Sequence, residues 1–257
     1  MCTITILRGV HPRHPLLVAA NRDEYRSRAW DPPALLHPSP RAWGGRDRAK
    51  GGTWLGVTER GFFVGLTNQR TYRPADPSRR SRGEVVTEAL RLNETARVEA
   101  LLGALDPRDY NPFNLVFGDL SALRVAYVRP EGLQVHPLGD GVHVLANDRL
   151  RAPTMPKTLR AEALARALPE GPWEAVQHRL GALLGDHHTP EDGLLPEPPA
   201  GALMPRMLLK ALQALCVHAG VYGTVSSTVL SLGRERVERY LFAPGPPCRT
   251  AFTEVPR

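Results

Sequence analysis

Residues 1–24 read MCTITILRGVHPRHPLLVAANRDE, and this stretch decides how the chain begins to fold. Residues 3–7 alternate polar and apolar side chains, residues 16–20 form a short apolar run, and the histidines and prolines of 11–15 lie between them. Two such runs separated by turn-forming residues are typical of paired strands. We therefore expect the chain to open with a β-hairpin whose second strand ends at the polar residues 21–24.

Strand patterns recur in the rest of the chain. Alternating or apolar runs flanked by turn residues predict seven further strands, at 53–58, 62–67, 114–118, 123–128, 142–145, 224–232 and 237–242. The first two of these form a tight hairpin around Gly61, and the last two form one around Gly233. Successive hairpins indicate antiparallel sheets.

Two pairs of helices separate these strands. Ser81 with Glu84 forms a capping-box pattern before a helix to about residue 92, and Thr95 is expected to cap the next helix, to about residue 105. Pro156 and Pro172 stand at first-turn positions before the apolar-periodic stretches KTLRAEALARAL and WEAVQHRLGALLG. Strands and helices thus occur in segregated groups, which predicts an α+β fold with helices packed on antiparallel sheets.

Two segments are too rich in proline and glycine to predict regular structure. Residues 31–52 read DPPALLHPSPRAWGGRDRAKGG, and we expect a long surface loop there. A second, proline-rich loop is expected over residues 188–205.

The composition is that of a globular protein. Of 257 residues, 42% are hydrophobic and 23% are charged, which excludes a disordered chain. No stretch reaches the roughly 18 to 20 apolar residues that a spanning helix needs, so we expect no integral membrane segment and a cytoplasmic location. We expect a single domain over residues 1–257.

The positive charge is a weak indication of a nucleic-acid partner. The net charge is +7, from 33 basic and 26 acidic residues, but 30 of the basic residues are arginine. The basic cluster of Arg79, Arg80 and Arg82 lies in a Pro- and Ser-rich segment without the interleaved aromatic residues that single-strand binding requires. We therefore predict a small-molecule ligand or substrate and no nucleic acid; the sequence does not determine the oligomeric state.

The cysteines do not predict a disulfide framework or a metal site. Cys2, Cys216 and Cys248 are odd in number and form no CxxC pair. His187 and His188 are adjacent and no recognisable ligand set accompanies them, so we expect exposed or structural histidines and no bound metal.

Cys2 is the first candidate catalytic residue. Removal of Met1 before this small residue would leave a thiol and a free α-amine on one residue, a nucleophile with its own base, because an α-amine has a pKa of about 7.8. The alternative is a small buried residue at the start of a strand.

The residues Asn21, Arg22, Asp23 and Glu24 favour the catalytic interpretation. A hairpin brings the end of its second strand beside the start of its first, so this quartet should lie near Cys2. Arginine beside a thiol favours the thiolate and would lower the thiol pKa, while a carboxylate can position the amine. The alternative is a surface turn with an ion pair.

Several motifs together resemble one family. These motifs are MC at 1–2, NRDE at 21–24, GGTWLGV at 51–57, LTNQR at 66–70, SRGE at 81–84, FNLVFGD at 113–119, LAND at 145–148 and YGTVSSTVL at 222–230. In these motifs the chain resembles the NRDE family, also called the transport and Golgi organisation protein 2 family, from residue 1 to about residue 232. The resemblance implies a four-layer αββα sandwich of the N-terminal nucleophile hydrolase type, related to choloylglycine hydrolases and penicillin V acylase.

The resemblance also implies site residues. Cys2 takes the nucleophile position of the acylases, and Arg22 with Asp23 or Glu24 falls where those enzymes keep an Arg and an Asp, although at a different spacing. Asn68 resembles the asparagine that donates to an oxyanion. Asn147 resembles the one that orients the amine of the nucleophile.

One position departs from the family pattern. Where the family often has Gly-Thr-Arg-Ser-Ser, this chain has Val225 as the middle residue. If the family arginine balances a substrate carboxylate or the thiolate, this chain lacks that charge, and Arg70 or Arg22 would have to supply it.

Two functions follow from the resemblance. The first is an N-terminal-cysteine amidohydrolase that cleaves a small amide through an acyl-enzyme on Cys2 and requires no cofactor. The second is a non-catalytic haem or lipid carrier on the same fold, because the family has been linked to haem and lipid handling. In the second case His218 beside Cys216 could ligate haem iron, although we expect this apolar stretch to be a core helix.

Overall fold

The structure is a computed structural model that describes residues 2–257. Its first half contains β1 (Cys2–Arg8), β2 (Leu16–Tyr25), β3 (Trp30–Pro38), β4 (Arg41–Asp47), β5 (Leu55–Thr58), β6 (Phe63–Asn68), α1 (Arg82–Leu92), α2 (Thr95–Gly103), β7 (Phe113–Gly118) and β8 (Leu123–Arg129). Its second half contains β9 (Gly132–Pro137), β10 (Gly141–Leu145), α3 (Pro156–Arg166), α4 (Trp173–Leu184), α5 (Arg206–Ala211), β11 (His218–Ala219), β12 (Tyr222–Gly233), β13 (Arg236–Ala243) and β14 (Thr253–Glu254).

The strands form two antiparallel sheets. The first has the order β10-β1-β2-β12-β13-β14, with the short β11 paired to β12, and the second runs β3-β4-β5-β6-β7-β8-β9. The opening hairpin therefore lies inside the first sheet, flanked by β10 and β12. Strand β7 and nearly all of β12 are buried along their length, as expected for strands covered on both faces.

The two sheets pack face to face with helices on both outer faces. Between the sheets, Ile4 and Leu230 of the first sheet share one apolar core with Val57 and Val125 of the second. A second core joins the outer face of the second sheet to α1 and α2, and a third joins the first sheet to α3 and α4. The result is a four-layer αββα sandwich, so the predicted α+β fold class is confirmed.

The prediction of a surface loop over residues 31–52 is wrong. Strands β3 and β4 occupy most of this segment and form one edge of the second sheet. Proline lacks a backbone donor, but an edge strand needs pairing on one side only, and the register shifts between Asp31 and Ala34, around Pro32 and Pro33. Strand β9, at the other edge, is also absent from the sequence prediction.

Three local predictions, two helix caps and one core helix, differ from the structure. Ser81 precedes α1 but makes no capping hydrogen bond with its side chain, and its hydroxyl instead donates to the Gly51 carbonyl. Thr95 is the first residue of α2, not its cap, and its hydroxyl donates to the Ala122 carbonyl. The stretch around Cys216 is a turn leading into β11 and is not the predicted core helix. No helix within residues 2–257 is long and apolar enough to cross a bilayer.

Candidate active site

The opening hairpin places Cys2 and Arg22 side by side. They are direct cross-strand partners in the β1–β2 register. Ile4 of β1 and Ala20 of β2 belong to the core between the sheets, so strand alternation directs Cys2 and Arg22 toward the second sheet as well. Asn21 points to the opposite face, where its Nδ2 donates to the carbonyls of Leu184 and Leu215, at 2.8 Å each.

Arg22 is a buried cation held by aromatic rings. Its guanidinium carbon lies 4.2 Å from the ring centre of Trp54 and 5.9 Å from that of Trp30. No salt bridge within residues 2–257 involves Arg22, and its buried Nη1 has no hydrogen-bond partner there. Burial lowers its pKa, while Cys2 and Glu24 favour the charged form. An anionic group entering beside Cys2 would find this nitrogen available.

Asp23 lies next to the Cys2 backbone and is buried. The Thr224 hydroxyl donates to its Oδ1 at 2.7 Å, and the Tyr222 hydroxyl donates to its backbone carbonyl at 2.8 Å. Its own backbone N–H hydrogen bonds to the Cys2 sulfur. Burial raises the pKa of Asp23, whereas Lys157 and the Thr224 hydroxyl act in the opposite direction.

Glu24 forms part of the pocket wall. Its Oε2 lies 3.7 Å from Arg28 Nε, and Arg28 in turn bonds Asp47 at 2.6 Å. These paired charges line the opening near Cys2 and leave Glu24 partly exposed. Of the predicted quartet, Arg22 and Asp23 are therefore the residues placed directly at Cys2.

The predicted lowering of the Cys2 pKa is wrong. Burial raises the pKa of the thiol, and the Asp23 carboxylate adds to this effect, while Arg22 opposes it without prevailing. Burial of the thiol between the two sheets disfavours the thiolate more strongly than the single nearby cation favours it. The predicted removal of Met1 concerns a residue outside the described range.

The two predicted asparagines lie together at the same end of the sheets. Asn68 ends β6 and lines the pocket that holds Cys2. Asn147 Nδ2 donates to the Asn68 carbonyl at 2.8 Å. Because Ile4 pairs with Leu145, Asn147 lies two residues beyond that pair, just as Cys2 does on β1. Its buried Oδ1 has no hydrogen-bond partner within residues 2–257, so it can accept from a new donor such as an amine.

The sequence reasoning missed Lys157. This second residue of α3 is 2% exposed, and its Nζ has no hydrogen-bond partner within residues 2–257. Burial lowers its pKa, while the nearby Asp23 and Cys2 favour the ammonium form and Arg70 disfavours it. A signal was present in the sequence, because Lys157 is one of only three lysines in a chain with 30 arginines.

Arg82, the first residue of α1, was considered only as part of a solvated basic cluster. It is half-buried and lines the cavities on both sides of Asn68. Burial lowers its pKa, while Glu24, Cys2 and Asp47 favour its charged form. No salt bridge within residues 2–257 involves Arg82 or Arg70, so both remain able to pair with a ligand anion.

Two cavities meet at this end of the molecule. The Cys2 pocket, of about 270 Å³, is lined by Cys2, Arg22, Trp54, Asn68 and Arg82. The apolar groove, of about 400 Å³, is lined by Tyr25, Tyr72, Met204, Leu208, Val221 and Tyr222. Asn68, Ala75, Arg82 and Asn111 line both cavities, so the two cavities are direct neighbours.

Val225 occupies an irregular position in β12. The pairing with β2 shifts between Thr224 and Ser226, leaving Val225 in the bulge, nearly buried. It is not among the residues that line the Cys2 pocket, where Arg22 supplies the buried positive charge.

Comparison with known proteins identifies relatives along most of the chain. A model of the family described as Transport and Golgi organisation 2 matches residues 1–241. The Transport and Golgi organization protein 2 homolog of Bos taurus is 31% identical over 230 residues, covering 84% of this chain and 81% of that protein. The Homo sapiens homolog is 31% identical over 240 residues, with the same coverage.

A solved structure with a similar fold is the Caenorhabditis elegans N-acylethanolamine-hydrolyzing acid amidase ortholog. It superposes with a TM-score of 0.56 over 99% of this chain and 100% of that chain. The two sequences are 12% identical, so the likeness concerns the fold alone.

Proposed function

The chain belongs to the Transport and Golgi organisation 2 family, and from this membership and the geometry around Cys2 we propose that it is an N-terminal-cysteine amidohydrolase acting on a small amide. The observation that carries the proposal is the position of Cys2, at the start of a central strand, beside Arg22 and in one pocket with Asn68. A structural cysteine would not need an open pocket with unpaired polar groups around it.

The proposed reaction uses the α-amine that Met1 removal would expose. This amine takes the thiol proton, and the Cys2 sulfur attacks the amide carbonyl. The Asn68 side-chain amide donates to the oxyanion, and the ammonium returns the proton to the leaving amine. Water then attacks the thioester with the amine again as base, which releases the acid and restores the thiol.

The surrounding residues support the amine's role as base. Asn147 Oδ1 is a buried acceptor placed level with Cys2, and the Asp23 carboxylate lies beside the same backbone. Together they would hold the amine and stabilise its protonated form. In this mechanism the Cys2 thiol stays protonated until its own amine removes the proton.

The two cavities indicate the substrate class. We infer an amide with an apolar acyl chain in the apolar groove and an anionic group near Arg22 and Arg82, two cations of the Cys2 pocket that form no salt bridge within residues 2–257. A charge-assisted hydrogen bond contributes about 1.5 to 3 kcal/mol, so N-acyl amino acids should be preferred over the matching N-acylethanolamines by about tenfold or more in kcat/KM.

The test combines turnover with acyl-enzyme trapping. Protein lacking Met1 by intact mass is incubated with N-acyl amino acids and with N-acylethanolamines of the same acyl chain. We expect the acyl group on Cys2 by peptide mass spectrometry and loss of turnover in Cys2→Ala with an unchanged melting temperature. Turnover that survives Cys2→Ala, or complete retention of Met1 in active protein, would refute the mechanism.

The charge preference has its own control. Arg82→Gln should remove the preference for N-acyl amino acids, whereas Arg108→Gln, an exposed arginine paired with Asp106, should leave it intact. If turnover depends on Cys2 but the preference is absent, the substrate class is wrong and the hydrolase remains.

Haem or lipid carriage on the same fold stays a prediction, as does the cytoplasmic location. A carrier would give a shifted Soret band that titrates to a fixed stoichiometry and is lost in a Cys or His variant. No observation on the Cys2 pocket favours this function over the hydrolase.

A further inference from the structure

Four reactive side chains meet on the helix side of the first sheet, away from the Cys2 pocket. His187 follows α4, Cys216 and His218 lie on either side of Val217, and Cys248 lies in the turn after β13. One nitrogen or sulfur atom of each of the four lies within 4.8 Å of the others. We call this group the two-cysteine, two-histidine cluster. The sequence analysis found no ligand set for His187, because the other three residues are far from it in the sequence. Cys216 is 29 positions away and Cys248 is 61 positions away.

The distances among Cys216, His218 and Cys248 match three corners of a tetrahedral site, and the ligand atom of His187 lies within 4.8 Å of the other three. Cys216 Sγ lies 3.7 Å from Cys248 Sγ and 3.6 Å from His218 Nε2, and His218 Nε2 lies 3.3 Å from Cys248 Sγ. Zinc bonds of about 2.3 Å to sulfur and about 2.0 Å to nitrogen at tetrahedral angles place two sulfurs about 3.8 Å apart and a sulfur and a nitrogen about 3.5 Å apart. The three measured separations agree with these values within 0.2 Å, about the tolerance expected of a metal site.

The hydrogen bond of His187 leaves one ring nitrogen without a proton, as a metal ligand requires. Its Nδ1 lies 3.1 Å from the Cys216 carbonyl oxygen, which only accepts, so Nδ1 must carry the proton. The lone pair is therefore on Nε2. A ring N–H held by a backbone carbonyl is the usual arrangement behind a metal-binding histidine, because it fixes the tautomer and the ring orientation.

Cysteine binds a metal as the thiolate, so a divalent cation at this cluster would release the two thiol protons to solvent and leave two thiolates.

We propose that His187, Cys216, His218 and Cys248 bind one Zn²⁺ as a closed, structural site. Two thiolates and two imidazoles in tetrahedral geometry are a characteristic zinc set, and the protein fills all four positions, which leaves none for a reacting water. Three of the ligands are exposed, so the ion can enter from solvent.

A zinc ion bound here would also stabilise the segments that position Asp23 beside the Cys2 pocket. The backbone N–H of Val217, between two ligands, donates to the Thr224 hydroxyl at 2.9 Å, and that hydroxyl donates to Asp23. The Thr224 N–H in turn donates to the Val217 carbonyl at 2.9 Å. Zinc would thus tie the loop after α4 and the turn after β13 to the end of β12 that holds Asp23.

A disulfide between Cys216 and Cys248 is the competing explanation for their proximity. It would involve neither histidine, and it would be removed by reductant. The experiment therefore uses reduced protein, with histidine variants beside cysteine variants.

The test measures zinc in the full-length reduced chain after zinc loading and dialysis, by elemental mass spectrometry. We expect one zinc per chain, loss of zinc in His218→Asn and in Cys248→Ser, and retention in the matched controls His188→Asn and Cys2→Ser. Substitution with Co²⁺ should give thiolate charge-transfer bands and the visible bands of a tetrahedral ion. Circular dichroism shows whether each variant is folded, and exposed His218 and Cys248 are chosen for this reason.

Three outcomes of the zinc measurement would overturn the proposal. These are folded, reduced wild-type protein without zinc, folded His218→Asn with full zinc occupancy, and zinc loss that is equal in His188→Asn and His218→Asn. Cobalt bound without thiolate charge-transfer bands would place the metal elsewhere and would also overturn it.

Discussion

Burial is the main cause of the pKa shifts of the ionisable side chains around Cys2. The pKa of Cys2 and of Asp23 is raised and that of Lys157 is lowered, each with burial as the largest cause. Every shift favours the neutral form, because the packed interior of the sandwich solvates charge poorly. The neighbours then adjust the balance: Asp23 disfavours the Cys2 thiolate, and Arg22 favours it.

Alkylation of Cys2 by iodoacetamide tests these opposing effects. Because its pKa is raised, the thiolate fraction at neutral pH is small, and the rate should increase about tenfold per pH unit up to the pKa. Asp23→Asn removes a negative charge, lowers the Cys2 pKa and should accelerate the reaction at pH 7. Arg22→Gln should slow it and Arg22→Lys should restore it. Peptide mass spectrometry gives the rate at Cys2 across the pH range.

Exposed Lys50 distinguishes charge from a general effect on the fold. It lines the same pocket but donates to the Pro77 carbonyl, away from the thiol, so Lys50→Gln should leave the Cys2 rate nearly unchanged. The electrostatic account fails if Asp23→Asn and Arg22→Gln change the rate in the same direction.

Single residues differ in how far the sequence could predict them. Arg22 could be placed beside Cys2 because a hairpin has simple geometry and both residues lie within 24 positions. Lys157 comes from another layer, so only its rarity in an arginine-rich chain marks it. The two-cysteine, two-histidine cluster has no recognisable ligand spacing in the sequence, because its residues come from three separate segments of the chain. The sign of the Cys2 pKa shift needs the burial that only packing supplies.

At the scale of elements, residues 51–53 hold the first turn of α1. The Thr53 N–H donates to the Gly83 carbonyl, and Gly52 approaches the Gly83 backbone so closely that a Cβ at Gly52 would lie 2.2 Å from the Gly83 carbonyl carbon. Gly52 also has a φ of +75°. This contact positions α1, which begins with Arg82 at the mouth of the Cys2 pocket.

Gly52→Ala should therefore be strongly destabilising. The positive φ costs about 1 to 2 kcal/mol for an alanine, and displacing the Gly83 backbone adds about 1 to 3 kcal/mol. Gly51→Ala is the matched control, because Gly51 has a φ of +72° with nothing within 4 Å of its Cβ position, so it should lose only the first amount. Urea unfolding gives both free energies. Equal losses in the two variants would show that the contact with α1 is unimportant.

Local patterns predicted most elements but neither edge strand of the second sheet. The opening, middle and last hairpins follow from alternation and turn residues within about 20 positions, and the structure contains all three. Strand β3 was not predicted because Pro32, Pro33 and Pro38 are typical of a loop. Pairing with β4 on one side overrides that signal at an edge.

At the scale of the whole molecule, the sandwich brings distant segments to one end. Cys2 comes from the first sheet, Asn68 from the second, Lys157 from the helix layer on the first sheet and Arg82 from the layer on the second. All four layers therefore contribute to the site. The order of strands and helices predicts layered antiparallel sheets, but many connectivities satisfy that pattern, so the specific fold type came from the family resemblance and not from periodicity.

The single domain over residues 1–257 stays a prediction, and the core between the sheets provides its test. Leu230 of β12 and Val116 of β7 are both fully buried in this core, one from each sheet. If the sheets fold as one unit, weakening either side lowers the stability of the whole. Leu230→Ala should cost about 2 to 5 kcal/mol, and Val116→Ala should cost less because it removes fewer carbon atoms from the core.

Calorimetry should then show one transition in the wild type and in both variants. The ratio of calorimetric to van't Hoff enthalpy should be about 1, because neither sheet can bury its inner face without the other. The midpoint should fall by about 2 to 4 °C for each kcal/mol lost, and tryptophan fluorescence and far-ultraviolet circular dichroism should report the same midpoint. A second transition that responds to one variant only would show two folding units, one for each sheet with its helices.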